Sequence, residues 1–334
     1  MTTAICPPRY FLPLLLILAL ASLALSLTQG SVAISLSSLL SILQGNGQGL
    51  DRQLVLELRL PRTLSAFFTG ALLAQAGVLM QVLVRNPLAD PYILGISGGA
   101  ALAALLAMLA GASGFLLDSS AFAGALLAVA LVFGLARHNA QAEAGTWTPL
   151  RLLLTGVVLA AGWGALISFI LVVSPARQLR SMLFWLMGDL SYAGNPWLLG
   201  LVFVLGLLAS LPLARSLNVL IRGEQLAASL GVDSRRLQFG LFILASLLTA
   251  SAVSQAGSIG FVGLVIPHLV RLMGYTDHRI LIPAASLCGG ILLVIADTLA
   301  RTVLAPQQLP VGIITALLGI PLFLYLLQKG QHSQ

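Results

Sequence analysis

Ten runs of apolar residues, each about as long as a lipid bilayer is thick, leave this chain of 334 residues little to be except a bundle of spanning helices. A span needs about 20 mostly apolar residues to cross a hydrocarbon core of about 30 Å. The runs lie near 11–29, 61–84, 92–111, 119–136, 151–173, 196–214, 237–256, 258–274, 281–299 and 310–327. Lipid offers the backbone no hydrogen-bond partners, so segments of this length satisfy themselves as helices. The expected fold is an all-α integral membrane protein of about ten transmembrane helices, in a single domain over 1–334.

Composition agrees. Only 8% of residues are charged and 58% are apolar, whereas a soluble domain carries about a quarter charged residues. A net charge of +7 would in a soluble protein suggest nucleic acid. Here every basic residue but Lys329 is an arginine, and the arginines stand singly between apolar runs, the pattern of interfacial anchors. No nucleic-acid partner is expected; membrane lipid is. Cys6 and Cys288 are too few and too distant for a disulfide framework or a metal site. The first run, which follows Arg9, has the length of a retained span rather than of a secretory signal.

With an even number of spans both termini share a side. Eleven basic residues fall on that side: Arg9, Arg85, Arg137, Arg151, Arg215, Arg222, Arg235, Arg236, Arg271, Arg279 and Lys329. Six fall opposite: Arg52, Arg59, Arg62, Arg177, Arg180 and Arg301. The bias places both termini in the cytoplasm. A faint repeat is also present. Gln75-Ala76-Gly77 and Gln255-Ala256-Gly257, with Val82 and Val262 and with Pro87 and Pro267, all stand 180 residues apart. They lie in spans two and seven, so the halves (spans 2–5 and 7–10) would run oppositely, as in transporters built from inverted repeats.

Polar segments punctuate the spans. Leu58-Arg59-Leu60-Pro61-Arg62-Thr63 introduces the second, and Arg85-Asn86-Pro87-Leu88-Ala89-Asp90-Pro91 leaves it, followed by Gly95-Ile96-Ser97-Gly98-Gly99-Ala100. Further on come Gly223-Glu224-Gln225, Ser229-Leu230-Gly231-Val232, the run from Gly260 to His268, Thr276-Asp277-His278-Arg279 and Leu309-Pro310-Val311-Gly312. In this order, from residue 58 to the C-terminus, the chain resembles the FecCD-type permeases. These are membrane subunits of type II ABC importers of iron–siderophores, haem and cobalamin.

The resemblance implies a homodimeric permease domain working with two ATP-binding cassette ATPases and a periplasmic or extracellular binding protein, in the cell inner membrane. It makes the segment 221–236 the coupling element to the ATPase, carried by Arg222, Gly223, Glu224, Gln225, Leu226, Ala227, Leu230 and Gly231. It places Arg59, Arg62 and Arg301 where glutamates of the binding protein's two lobes dock. It also sets the fifth and tenth spans along the passage, with Thr146 and Thr148, just before span five, at the inner gate.

The residues support these roles in part. A P-loop needs a Gly-rich turn before a lysine, and Lys329 has none before it, so ATP hydrolysis falls to a partner and no enzyme activity is expected of this chain. Glu224 to Leu230 favours helix, with Gly231 at the expected cap. Arg59, Arg62 and Arg301 oppose the positive-inside bias, as exposed cations awaiting acids or as headgroup anchors. Asn86, Pro87, Asp90 and Pro91 form a tight cytoplasmic turn in which Asp90 bonds its own backbone. Asp297 stands four residues before Arg301, on one helical face. His268 is more readily a packed group than a ligand, and no spacing suits a metal, an acid–base pair or a cofactor.

An ion-coupled secondary transporter would want acids in mid-membrane, and a membrane enzyme a cluster of acids or histidines; the acids here sit mostly at span ends. Iron–siderophore ranks first as cargo, before haem. Cobalamin is the alternative towards which Thr276-Asp277-His278-Arg279 leans.

Overall fold

The structure, a computed structural model, describes residues 7–30, 32–46, 49–138, 149–191 and 194–331. Among them there is no strand. In chain order the helices are α1 (Pro8–Thr28), α2 (Leu36–Leu43), α3 (Leu50–Gln53), α4 (Leu60–Val84), α5 (Ile96–Leu109), α6 (Phe115–His138), α7 (Pro149–Val173) and α8 (Ala176–Leu186). There follow α9 (Pro196–Ser210), α10 (Ala214–Leu220), α11 (Glu224–Ser229), α12 (Ser234–Ala256), α13 (Val262–Leu272), α14 (His278–Thr302) and α15 (Val311–Gln331). A π turn, Leu54–Arg59, makes α3 and α4 one continuous helix.

Each of the ten apolar runs is helical, but ten full-length spans are not what the lengths show. Among the described residues six helices are long and apolar enough to cross a membrane: α1, α3–α4, α6, α7, α12 and α14. The sixth run breaks into α9 and α10, bent by 62°, and counts as a seventh only if the pair is one span. α5, α13 and the apolar part of α15 are shorter. Outside the runs, α2 and α8 are short helices with polar residues along one side, which a search for 20-residue apolar runs passes over.

The core gathers on α4. Its most apolar stretch is 89% buried inside the protein, against 11% for the comparable stretch of α7. Small residues let neighbouring backbones reach it, the usual basis of helix packing in lipid. At the α4–α14 crossing, a Cβ on Gly70 would lie 2.2 Å from the Gly289 carbonyl oxygen and one on Gly289 would lie 2.4 Å from that of Gly70. Only glycine fits either position.

The faint repeat has a structural counterpart. α4 and α12 are each followed by a short helix, α5 and α13, whose N-cap residue is left-handed, Gly95 (φ 70°) and Phe261 (φ 70°). α5 starts beside Gly156 and Trp163 in the middle of α7, and Phe261 packs on Gly319 within α15. The two connections meet. The Tyr92 hydroxyl donates to the Ile259 carbonyl (3.0 Å) and accepts from the Ile259 N–H (3.2 Å), and Ser97 pairs with Ser258. Each glutamine of the repeat also grips α9. Gln75 donates to Ser210 at its last turn (3.0 Å), and Gln255 accepts from the Gly194 N–H just before its first (2.9 Å).

Candidate functional site

Charged side chains collect at the two ends of the α4–α14 pair. At one end Asp297 is wholly buried, with a guanidinium on either side. Arg62 approaches bidentately, Nε and Nη2 to Oδ1 at 2.9 and 2.8 Å, and Arg301 Nε reaches Oδ2 at 3.0 Å. The Asp297–Arg301 pair is the one expected from their four-residue spacing. Arg301 also donates to Ser26 Oγ (2.8 Å) in α1. Arg59 turns the other way and donates to the backbone carbonyls of Leu27 (2.9 Å), Thr28 (3.3 Å) and Val32.

The expectation of exposed outer cations is therefore corrected. Arg59 and Arg301 are only 7% and 8% exposed, because carbonyls and a carboxylate within the chain already satisfy them. Arg62 alone of the three reaches a cavity of about 740 Å³, which Glu57, Arg180, Asp189, Ser191 and Gln308 also line. There its Nη1 donates to Gln308 Oε1 at 2.8 Å. Two guanidiniums thus share the Asp297 carboxylate, and at the cavity Arg62 and Arg180 stand among Glu57 and Asp189.

At the opposite end lies α11. Gly223, with φ 128°, starts it, and Gly231, with φ 78°, stands one residue beyond its Leu230 C-cap, as the sequence suggests. Ala227 is fully buried and anchors the helix, while Arg222, Glu224, Gln225, Leu226 and Leu230 are exposed. Glu224 accepts from Gln238 Nε2 of α12 (2.8 Å) and pairs with Arg85. The Gln238 hydrogen bond first, and then the Arg85 charge, hold its carboxyl below the ordinary glutamate range. Arg235 is exposed, and Arg236 forms an exposed ion pair with Asp233 at 3.0 Å.

The turn after α4 behaves as read from its residues. Asn86 Oδ1 accepts from the Leu88 N–H (2.9 Å) and Asp90 Oδ1 from the Tyr92 N–H (2.8 Å), while Pro91 is buried. Burial pushes the Asp90 carboxyl up to about 6, against the opposing backbone hydrogen bond. A second tie at this end joins α10 to α14. Asn218 Oδ1 accepts from the His278 N–H (3.0 Å), and its Nδ2 donates to Asp277 Oδ1 (2.8 Å). Sequence reasoning missed Arg85, Asn218 and His278 as partners across the fold, although Arg85 and His278 sit inside the quoted motifs. Thr146 and Thr148, like Cys6, lie outside the described residues.

Comparison with known proteins now decides the family. Residues 15–329 match the FecCD transport family. The chain belongs to that family. The cobalamin import system permease protein BtuC of Halobacterium salinarum is 45% identical over 279 residues, 82% of this chain and 73% of that protein. The hemin transport system permease protein HmuU of Yersinia pestis is 39% identical over 346 residues, 98% of each chain. Among solved structures, one described as a metal-chelate type ABC transporter in an inward-facing conformation superimposes with a TM-score of 0.82. It is 32% identical and covers 97% of this FecCD chain and 100% of its own.

Proposed function

We propose that this FecCD permease imports a metal chelate across the cell inner membrane as a homodimer, driven by two ATPase subunits and supplied by a substrate-binding protein. The observation that carries the reading is the 39% identity with the hemin permease along 98% of both chains. α11 supplies the ATPase contact: it is fixed from below by Ala227 and presents Leu226 and Leu230, 43% and 62% exposed, to a partner. The α11 end is then cytoplasmic, as are both termini, and the Asp297 end faces outward. There Arg62, at the cavity, receives an acidic group of the binding protein, with Arg59 and Arg301 behind it. The apolar face of α7, which the rest of the chain leaves uncovered, meets the second copy across the passage.

Cobalamin as the cargo is a second reading, favoured by the 45% identity with a cobalamin permease. Both are tested with a tagged chain expressed beside its native partners. An ATPase should co-purify, and membrane vesicles should take up cargo only with ATP. Competition among labelled cobalamin, hemin and a ferric siderophore then assigns the chelate. Uptake without ATP and without a co-purifying ATPase would end the importer reading.

A further inference from the structure

Two helices run unbroken between the ends described above, and they are tied together at both. α4 and α14 have 25 residues each, about 37 Å at 1.5 Å per residue. Near one end the Arg62–Asp297 bridge joins them. At mid-length Gly70 and Gly289 put their backbones in contact. At the other end each is fastened separately to the segment around α11. Arg85, at the C-cap of α4, pairs with Glu224, and His278, the first residue of α14, is held by Asn218 of α10, six residues before α11 begins.

Arg85 is the informative residue. Its φ of 52° is left-handed, a conformation that glycine adopts freely and that costs other residues energy. A helix C-cap of this shape favours glycine, yet an arginine stands there, and what it adds over glycine is the side chain that meets Glu224. The pair is partly exposed, with side-chain accessibilities of 34% and 53%, and such pairs add little to stability. Stability therefore does not account for a strained arginine at this position, whereas transmission of a displacement does. Asn218 is comparable: one amide side chain bonds the backbone N–H that opens α14 and the Asp277 carboxylate that caps it.

We infer that Arg85 and Asn218 are the positioning residues that couple movement of the α11 segment to the Asp297 end, by holding α4 and α14 to it as one two-helix beam. This rests on the importer reading. When an ATPase displaces α11, the Arg85–Glu224 and Asn218–His278 contacts carry the displacement into the inner ends of the beam, and the Arg62–Asp297 bridge keeps its outer ends together.

The test uses the full permease with its ATPase in membrane vesicles. It reads the ATPase retained on the tagged chain, basal ATP hydrolysis, and uptake per ATP hydrolysed of whichever probe (cobalamin, hemin or a ferric siderophore) the unaltered chain transports. Arg85→Ala and Asn218→Ala should retain the ATPase and hydrolyse ATP, while uptake per ATP falls about fivefold or more, the lower end for a coupling between distant sites. Arg85→Lys, which keeps the cation, should restore it; a merely structural arginine would show no such recovery in the ratio. If Arg85→Ala does not assemble, Arg85→Gln carries the same test. Unchanged uptake per ATP in both variants overturns the inference, and so does loss of ATPase binding in both Arg85→Ala and Arg85→Gln, which would make Arg85 a docking residue. Failure of the unaltered chain to bring down an ATPase would instead refute the importer reading.

Discussion

Replacing Asp297 by asparagine tests the buried charge arrangement most directly. The carboxylate is fully buried and faces two guanidiniums, and Arg59 stands near Arg301 as a further cation. Asparagine keeps the shape and one acceptor but removes the negative charge that Arg62 and Arg301 share. Arg62 is then the less stranded, because Gln308 and Ser191 still accept from it beside the cavity. Arg301, 8% exposed, keeps only Ser26 and Thr298. Breaking a buried pair by removing one partner costs about 3–5 kcal/mol. At roughly 2–4 °C per kcal/mol, the melting temperature of the purified protein in detergent should fall by about 6–20 °C. Arg62→Gln should cost less, since Asp297 keeps Arg301. The double variant Asp297→Asn, Arg301→Met should recover more than half of the single loss, because the stranded cation leaves with its partner. Melting of Asp297→Asn within about 2 °C of the unaltered chain, or a double variant no more stable than the single, would refute the reasoning.

Other outcomes follow from the same structure. Gly70→Ala sets a Cβ 2.2 Å from the Gly289 carbonyl oxygen, so α4 and α14 must separate and thermal stability should fall by about 1–3 kcal/mol, typical of overpacking. Tyr92→Phe leaves both polar backbone groups of Ile259 without the hydroxyl they share and should cost about 1–3 kcal/mol in the same assay. Asp90→Asn tests a titration. With the folded carboxyl up at about 6 and an ordinary value near roughly 3.9 unfolded, the bound proton stabilises the fold fully below that ordinary value, and its contribution fades as pH rises through about 6. Between pH 5 and 7 the unaltered chain should lose melting temperature relative to Asp90→Asn, which keeps the cap to Tyr92; parallel profiles would contradict it.

Much of this was legible in the sequence, for identifiable reasons. Hydrophobic runs of span length can only be helices in lipid, and the Gly223 and Gly231 bounds of α11 follow from local backbone preferences. The Asp90 turn and the Asp297–Arg301 pair are local as well. The break of α9 from α10 falls at Pro212, and the late starts of α5 and α13 follow Gly95 and Gly260; a search by apolar length passes over them because such residues barely lower the hydropathy of a run. Not legible were Arg62–Asp297, Arg85–Glu224 and Asn218–His278, whose partners lie 235, 139 and 60 residues apart. Arginines at span ends look free in one dimension, and three-dimensional packing supplied acceptors that spacing could not show.

The hydroxyl of Tyr92 limits where the importer can bend. It joins the stretch after α4 to the stretch after α12, donating to one backbone group of Ile259 and accepting from another. Sliding the two pseudo-symmetric halves past each other would strip both groups at once, at about the 1–3 kcal/mol that loss of the hydroxyl costs. Ser97 with Ser258 would part in the same motion. The seam between the repeats is thus pinned at this point, and movement of one half against the other has to break it. In the proposed dimer, turning one copy as a body against the other across the flank of α7 would leave that seam intact.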